Sequence, residues 1–398
     1  MKHPSIVHAL ACRFAWILVD EFQDTSDLQV EILKLIAEDG RSKFFLVGDP
    51  HQSIYSFAGA RPSLMTEFAA HINARTDFRL LNNFRSSGPI IAHAEKLLPR
   101  KSPMRPSGPA KVFREQPRHI PSTTAFEAIT ESFLPLVESL DIPYGECAIL
   151  APSWFSLYRL GPQLREYGIP VFGVGARPYK RHHLFGLLAE QVCSYIDAPS
   201  ADKIPAIEKG LFLMLTQATG DANFRVFTYL GRVTLFRLIH AGMNLRKEHD
   251  GGIAWLRSAA EAFEGILYKD ELLPKSCLGL LTQSVNDMYD DMVNRHVDTA
   301  NLTVSDLGLF SNPNHNVKLI TIHQAKGREF DAVAIIDLHD RQLPNWRATQ
   351  PGAPPEALEE SKRLFYVAIT RTRRLLMYVT DTSNARNTPS RFLRTVVG

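Results

Sequence analysis

Two short apolar runs, at residues 15–19 and 44–47, lie near the start of the chain, and acidic or other polar residues follow each of them at once. Uninterrupted apolar runs of this length are typical of strands that are buried on both faces of a parallel sheet. Amphipathic spacing predicts helices over residues 26–37 and 62–72. Residues 1–76 are therefore predicted to form a strand, a helix, a second strand and a second helix.

The region from residue 77 to residue 177 alternates between apolar runs and amphipathic segments. A strand is expected to end at Phe84 and Arg85, a helix to begin at Ser87, and the proline-rich residues 99–109 to form a surface loop. The following elements are then predicted: strand 110–114, helix 124–140, strand 146–150, helix 155–167 and strand 169–172. Strands that alternate with helices in this way predict βαβ units and hence a parallel sheet.

The pattern changes after residue 177. Helical spacing dominates residues 178–314, as over 184–196 and 226–239, and strand signals are few. Strands are predicted again over 317–322 and 333–336, followed by a helix over 355–370 and a last strand over 374–380. The sequence thus predicts an α/β fold with parallel-sheet domains, divided into residues 1–76, 77–177, 178–314 and 315–398, of which the third part is α-helical.

Composition narrows the class of protein without naming a function. The chain has 398 residues, enough for two or three domains, and its formal net charge is only +3. Its four cysteines show no CxxC spacing, so neither a zinc site nor an iron–sulfur cluster is expected and a reducing cytosol fits best. No apolar stretch has the length that crosses a membrane. Histidines and a proline interrupt the opening segment, which argues against a signal peptide and for a cytoplasmic protein.

The polar residues after the first two apolar runs carry the first candidate chemistry. The carboxyl ends of parallel strands border one crevice, so Asp20 and Glu21 are expected at its edge. Asp20 is placed to hold Mg²⁺, which accepts one or two carboxylates beside substrate phosphates. Glu21 is placed to orient and deprotonate an attacking water, and the amide of Gln52 to sense a terminal phosphate. An isolated acidic pair is usually a solvated surface feature, and it is the second strand-end motif that favours the functional interpretation.

Five motifs in a fixed order extend this picture along the chain. They are VDEFQDTSDLQ at 19–29, VGDPHQSIYSFAGA at 47–60, LNNFRSS at 81–87, VKLITIHQAKGREFDAVAIID at 317–337 and EESKRLFYVAITRTRR at 359–374. Together they resemble the motifs of superfamily 1 helicases of the UvrD/Rep/PcrA type. The resemblance implies RecA-like motor domains with a helical insert in the second one, and the use of ATP and Mg²⁺ to move 3′ to 5′ along single-stranded DNA.

The resemblance also implies roles for residues of the later motifs. Arg85 and Arg371 would face the γ-phosphate, where a planar guanidinium stabilises the charge of the transition state. Glu329 would bond the nucleotide ribose, with Gly327 in the same motif. Phe84, where the family often has tyrosine, would stack on the adenine, and Tyr55 could stack from the other side. Either aromatic residue is open to a second interpretation as ordinary core.

Strand binding is expected to use aromatic platforms and backbone contacts, with little sequence preference. Phe57 stands where the family usually has tryptophan, and Ala58 stands where it usually has arginine. Thr321 and His323 are candidate contacts to phosphates of the strand. The basic residues 177–183 are open to two interpretations, a nucleic-acid contact or a solvated domain edge.

A phosphate-binding loop is missing from the motifs. The family's glycine-rich turn ends in Gly-Lys-Ser/Thr, yet no Gly-Lys dipeptide occurs in the chain. The first RecA-like domain is therefore expected to be truncated, and the chain to be a fragment or one half of a split motor with little ATPase activity alone. A complementary chain that supplies the loop is the expected partner. The alternative is a non-catalytic, helicase-derived module that binds nucleic acid or protein.

Overall fold

The computed structural model describes residues 3–173, 176–177, 179–180, 183–223, 226–295, 297–311, 313–384 and 387–397. The chain forms two compact units. The first contains Met1–Ile142, Ala148–Ser153 and Thr321–Gly398, and the second contains Pro143–Cys147 and Trp154–Ile320. The division at residues 76, 177 and 314 stays a prediction.

The strands are short except for the last one. They are β1 Trp16–Val19, β2 Lys43–Leu46, β3 Asn82–Asn83, β4 Arg105–Pro106, β5 Arg118–Ser122, β6 Cys147–Ala151, β7 Val171–Gly173, β8 Val317–Thr321, β9 Phe330–Ile335 and β10 Thr372–Asp381. The helices are α1 Pro4–Arg13, α2 Asp27–Glu38, α3 Ser63–His71, α4 Gly88–Leu97, α5 Ala125–Glu127, α6 Leu134–Ser139, α7 Trp154–Glu166, α8 Gly186–Asp197, α9 Ile204–Thr219, α10 Tyr229–Glu248, α11 Gly252–Lys269, α12 Leu280–Asn294, α13 Val304–Leu309, α14 Ile322–Ala325, α15 Pro355–Ile369 and α16 Arg391–Val397. Among the described residues, no helix is both long enough and apolar enough to cross a membrane.

The larger sheet has six strands in the order β5-β10-β9-β6-β8-β7. Strand β10 lies parallel to both β5 and β9, and β7 lies parallel to β8. The side chains of β6 are buried on both faces, which accounts for its uninterrupted apolar sequence. The predicted α/β fold with a parallel sheet is confirmed.

The first two strands form a separate parallel pair in which Leu18 lies beside Phe45. One face of this pair packs on a small core that contains Phe22 and Phe68. On the other face Trp16, Leu18 and Phe45 are 57%, 72% and 56% exposed. The apolar runs by themselves are typical of burial on both faces, but a truncated first domain is expected to leave these strands without parallel neighbours, and the structure describes them with one apolar face exposed.

The prediction of a strand over residues 110–114 is wrong. A 3₁₀ turn occupies Gly108–Val112, and the strand comes later, at Arg118–Ser122. Gly108 has φ +59°, a left-handed conformation that turns the chain before an extended segment can begin. The sequence of β5 is polar and contains Pro121, which is tolerated because β5 lies at the edge of the sheet.

Other predicted elements differ in extent. The strand that was expected to end at Phe84 and Arg85 is only the two-residue β3, which pairs with β4 from the predicted loop at 99–109. The helix predicted over 124–140 is divided by a π-helical turn at Ala128–Phe133. The helix predicted over 26–37 lies within one residue of α2, because Ser26 and Gln29 form a capping box at its start.

The second unit is mainly helical. Its described residues between β7 and β8 form helices and turns around a core that includes Phe185, Trp255 and Phe263. The indole N–H of Trp255 donates to the carbonyl oxygen of Gly242 at 3.0 Å, which satisfies the polar group of the largest buried side chain. Helices α8 to α13 lie within residues 178–314 and are joined by turns and loops, and the described residues of this range contain no β-strand.

Candidate functional site

The two strand-end carboxylates lie directly after β1 in the first unit. Glu21 has φ +49°, a left-handed conformation that is uncommon for a residue with a side chain. Its backbone N–H donates to Oδ1 of Asp20 at 2.8 Å. An open cleft of about 440 Å³ lies beside both residues and is also lined by Asp24 and Gln29. The turn after β1 thus presents two acidic side chains to one cleft.

Asp20 fits the role of a Mg²⁺ ligand. Its Oδ2 has no hydrogen-bond or ion-pair partner within the described part of the chain, since the one bond to this carboxylate goes to Oδ1. Mg²⁺ keeps most of its waters and needs only one or two protein carboxylates. A single unpaired carboxylate oxygen at an open cleft meets that requirement.

The two strand-end motifs are joined by Gln23, which sequence reasoning did not select. Its side chain is almost fully buried, and its amide nitrogen donates to the carboxylate of Glu21. Its amide oxygen accepts from the backbone N–H of Asp49 at 2.9 Å. A Cβ at position 48 would lie 2.6 Å from that oxygen, so Gly48 is required for this contact. The signal in the sequence was a glutamine between apolar and acidic residues at a strand end, which is too common to be diagnostic.

Gln52 and Arg371 lie together, as the candidate site requires. Nη2 of Arg371 donates to Oε1 of Gln52 at 3.1 Å. The amide nitrogen of Gln52 donates in turn to Oδ2 of Asp49 at 3.0 Å. This contact brings a motif near the start of the chain to one near its end.

Arg371 is buried without a carboxylate partner among the described residues. The residue is 1% exposed, and its guanidinium donates to the carbonyl oxygens of Val367 and Arg328 at 3.1 Å and 3.3 Å. Burial lowers the pKa of Arg371 to about 10, and the positive charge of Arg85 contributes to this shift. The guanidinium therefore stays charged at neutral pH, although the bonds to Gln52 and the two carbonyl oxygens supply no negative charge. Such a cation is suited to an anionic ligand.

Arg85 occupies a different environment. Its Nε donates to Oε2 of Glu329 at 2.5 Å, and its Nη1 donates to the carbonyl oxygen of Thr370 at 3.3 Å. Glu329 also pairs with Arg373 at 2.8 Å. Hydrogen bonds from Arg85 and Arg373 lower the pKa of Glu329. The carboxylate assigned to the ribose thus holds two arginines here, and its contact with a nucleotide stays a prediction.

Lys326 is a site residue that the sequence analysis missed. Its ammonium lies 2.6 Å from the carboxylate of Asp24 and 2.6 Å from the carbonyl oxygen of Gln52. It also lies 4.9 Å from the centre of the Tyr55 ring. Burial raises the pKa of Asp24, and the hydrogen bond from Lys326 opposes that rise. Its position directly before Gly327 was a usable signal, because the two residues share the fifth motif.

Three predicted site residues form an aromatic cluster. The ring of Phe57 lies 5.8 Å from that of Tyr55 and 6.2 Å from that of His323. The hydroxyl of Tyr55 donates to the carbonyl oxygen of His323 at 3.4 Å. Phe57 is 77% exposed, while burial lowers the pKa of His323 and favours its neutral form. Tyr55 therefore lies with the candidate strand-binding residues, and its stacking on adenine stays a prediction.

The remaining predicted residues have distinct surroundings. The ring of Phe84 is largely exposed and faces Gly108, where an added Cβ would lie 3.1 Å from it. Thr321 caps α14, because its hydroxyl accepts from the backbone N–H of Gln324 at 3.4 Å. Gly327 has φ +77°, which favours glycine in the turn before β9. The hydroxyl of Thr321 accepts a bond within the protein. Its contact with a phosphate of the strand stays a prediction.

The basic residues 177–183 favour a structural interpretation where they are described. Arg177 forms two hydrogen bonds with Glu190, at 2.6 Å and 2.7 Å. Lys180 and His183 both pair with Asp291. Residues 178, 181 and 182 lie outside the described residues. The described basic side chains of this run thus bond to carboxylates within the second unit.

Comparisons with known proteins agree with the motif assignment. The UvrD/REP helicase N-terminal domain matches residues 1–73, and the UvrD-like helicase C-terminal domain matches residues 278–383. The ATP-dependent DNA helicase UvrD2 of Mycobacterium tuberculosis is 26% identical over 91% of this chain and 46% of its own length.

Two further relatives give the same result. DNA helicase II of Haemophilus influenzae is 26% identical over 98% of this chain and 59% of its own length. The ATP-dependent DNA helicase Rep of Salmonella typhimurium is 25% identical over 96% of this chain and 63% of its own length. The chain thus spans about half to three fifths of the length of these curated relatives. The resemblance that the five motifs indicated is confirmed.

Proposed function

We propose that this chain contributes to an ATP-dependent DNA helicase or translocase that moves 3′ to 5′ along single-stranded DNA. The proposal starts from the UvrD-like matches at its amino-terminal and carboxyl-terminal regions. The observation that carries this proposal is the 3.1 Å hydrogen bond between Gln52 and Arg371. It joins the residue assigned to the terminal phosphate with a buried arginine from the opposite end of the chain. ATP is the proposed nucleotide and Mg²⁺ the proposed metal ion.

The strand-end residues supply the acidic part of the proposed reaction. Asp20 would hold Mg²⁺, which neutralises charge on phosphate oxygens when it is bound. Glu21 would accept a proton from the attacking water, with its carboxylate held in place by Gln23. The amide of Gln52 would orient that water or contact the terminal phosphate.

The arginines supply the positive charge for the proposed reaction. Arg371 would place its guanidinium against the phosphoryl oxygens as charge develops on them. Arg85 would do the same after exchanging Glu329 for phosphate, an exchange that breaks its 2.5 Å ion pair. Because Glu329 retains Arg373, it is free to turn to the ribose without losing every cationic partner.

Single-stranded DNA is the proposed polymer. The exposed ring of Phe57, supported by Tyr55 and His323, offers a stacking surface that tolerates any base. Thr321 lies one residue before α14, close in sequence to His323, and would contact the strand's backbone. Weak base preference is the expected consequence.

A complementary segment, on this or a separate polypeptide, is proposed to complete the nucleotide site. The chain has no Gly-Lys dipeptide that could end a phosphate-binding loop. The pair formed by β1 and β2 exposes Trp16, Leu18 and Phe45 on one face. A large apolar face on a two-stranded sheet is unfavourable in water, so this is where the segment would pack.

The test combines hydrolysis with strand binding. The 398-residue chain is assayed for ATP hydrolysis with and without single-stranded DNA, alone and mixed with the part of H. influenzae DNA helicase II that lies outside its match to this chain. Glu21→Gln is the test variant, and Glu38→Gln, a change at an exposed residue on α2, is the matched control. We expect little hydrolysis by the chain alone and DNA-stimulated hydrolysis in the mixture, lost in Glu21→Gln only.

Each other outcome has a defined meaning. DNA-stimulated hydrolysis by the chain alone would remove the need for a complementary segment. Hydrolysis that survives Glu21→Gln would exclude Glu21 as the base. No hydrolysis in the mixture, together with strand binding that ATP does not alter, would favour the alternative of a non-catalytic interaction module.

Polarity is tested separately in the hydrolysing mixture. Duplexes that carry a single-stranded tail at either the 3′ or the 5′ end are offered as substrates. We expect strand separation only from the 3′ tail, and separation from the 5′ tail alone would contradict the proposed direction.

A further inference from the structure

Asp49 connects the two candidate catalytic side chains of the first unit. Its carboxylate accepts from the amide nitrogen of Gln52 at 3.0 Å and from the backbone N–H of His51 at 3.0 Å. Its own backbone N–H donates to Gln23, which in turn binds the carboxylate of Glu21. The position of Asp49 therefore affects the groups on both sides of the proposed reaction.

A residue outside all five motifs holds this carboxylate. Nη2 of Arg100, in the segment between α4 and β4, lies 2.6 Å from Oδ2 of Asp49. Arg100 also contacts Glu95 at 3.4 Å and lies 5.1 Å from the centre of the Tyr366 ring. Only 16% of its side chain is exposed, and the partly buried pair gains from its low-dielectric surroundings. Arg100 thus fixes Asp49 against α4 and α15.

The hydrogen-bonding capacity of these groups determines the orientation of the Gln52 amide. An ionised carboxylate only accepts, and a guanidinium only donates. With Asp49 on one side and Arg371 on the other, the amide nitrogen must face Asp49 and the oxygen must face Arg371. The opposite orientation would place donor against donor and acceptor against acceptor.

We propose that Arg100 is a positioning residue that, by holding Asp49, orients the amide of Gln52 toward Arg371. Its role in catalysis rests on the proposed function, whereas its effect on Gln52 does not. Without Arg100, Asp49 loses its cation, and the carboxylate is free to turn toward water. This movement takes away the acceptor that holds the amide nitrogen of Gln52, so the amide is free to adopt the flipped orientation.

The first measurement needs no nucleotide. The side-chain ¹⁵NH₂ signals of glutamine-labelled chain are recorded, and Gln52→Ala identifies the pair that belongs to Gln52. In Arg100→Ala we expect these two signals to shift and to exchange with water at least about tenfold faster, because the bond to Asp49 is lost. Arg100→Lys should restore part of the protection, since it returns a cation without the fork of donors. Lys101→Ala, which removes the neighbouring exposed charge, should change neither signal.

The second measurement is the steady-state kinetics of ATP hydrolysis in the complemented mixture described above. Arg100→Ala should lower kcat by about tenfold to a hundredfold while KM changes less than about threefold, because the misplaced group acts on the reaction rather than on binding. Unchanged Gln52 signals in Arg100→Ala overturn the proposal whatever the kinetics. Shifted signals with an unchanged kcat limit Arg100 to a structural role and overturn its catalytic consequence.

The two proposals fail separately. If the wild-type mixture hydrolyses no ATP, the proposed function fails, and the Gln52 signals still decide whether Arg100 positions the amide.

Discussion

Two arginines of this protein, the buried Arg371 and the half-buried Arg177, have opposite surroundings. Arg371, in the first unit, donates to the amide of Gln52 and to backbone carbonyl oxygens. Arg177, in the second unit, forms two hydrogen bonds with the carboxylate of Glu190, which also accepts from the hydroxyl of Tyr179. Burial lowers the pKa of Arg371, whereas the carboxylate of Glu190 outweighs burial and raises the pKa of Arg177.

This difference separates a cation that the fold neutralises from one that it leaves unneutralised. A buried charge without an opposite charge costs free energy that a purely structural position would not retain. Arg177 is explained completely by the packing of the second unit. Arg371 has no ion-pair partner among the described residues, and only the more distant charges of Glu21 and Glu329 act on it, so it is the stronger candidate for a phosphate ligand.

The largest effect is expected at Arg371. In the complemented hydrolysis assay, Arg371→Met should lower kcat by about 10³-fold, because transition-state charge loses its guanidinium. The free energy of unfolding should change by only about 1 kcal/mol, since removing an unneutralised charge offsets the lost hydrogen bonds. Arg347→Met, at an exposed arginine, is the control for both measurements. A large loss of stability with normal hydrolysis would make Arg371 structural, like Arg177.

A smaller effect, on stability alone, is expected at the other arginine. Glu190→Gln leaves Arg177 without its carboxylate and should lower the free energy of unfolding by about 3–5 kcal/mol, measured by urea denaturation. The double variant Arg177→Met/Glu190→Met should lose less than Glu190→Gln, because no unpaired charge remains. Glu261→Gln on α11 is the exposed control. Equal losses in the single and double variants would contradict the importance of charge pairing here.

Lys326 tests whether a paired cation inside the candidate site behaves like Arg177. Lys326→Met should lower the free energy of unfolding by about 1–3 kcal/mol, because it removes the partner of Asp24 and the donor to the carbonyl oxygen of Gln52. The pKa of Asp24 should rise further, as observed by carboxyl NMR. Lys101→Met is the exposed control. No change in either quantity would show that the ion pair is absent in solution.

The smallest effect concerns the pH dependence of stability in the second unit. Burial raises the pKa of Asp291, but hydrogen bonds from His183 and Lys180 outweigh it and lower that pKa to about 2. The unfolded chain therefore binds a proton at Asp291 at higher pH than the folded one, and the stabilisation is present above about pH 4 and lost as pH falls toward 2. The difference in free energy of unfolding between wild type and Asp291→Asn should shrink across this window. A difference that does not vary between pH 5 and pH 2 would contradict the assignment.

The sequence predicted much of the fold where apolar spacing extended over many residues or where a helix began with a capping box. The parallel α/β character, the helical region after residue 177 and the start of α2 followed from apolar spacing and from the Ser26 capping box. The prediction of a strand over 110–114 failed because it rested on two or three alternating residues. The left-handed turn at Gly108 directs the chain into a 3₁₀ turn there instead. Edge strand β5, with its proline, gave no apolar signal at all.

The candidate site divides in the same way. Position after a strand end was enough to propose Asp20, Glu21 and Gln52 as site residues, and the family resemblance added Arg371; their roles stay predictions. The sequence could not give the orientation of the Gln52 amide, the ion pair of Lys326 with Asp24, or the link from Arg100 to Asp49. Those contacts join residues 51 to 319 positions apart, and only the tertiary packing decides which donors and acceptors meet in a buried space. The chemistry was therefore determined locally by the sequence, while its geometry and charge balance were decided by the fold.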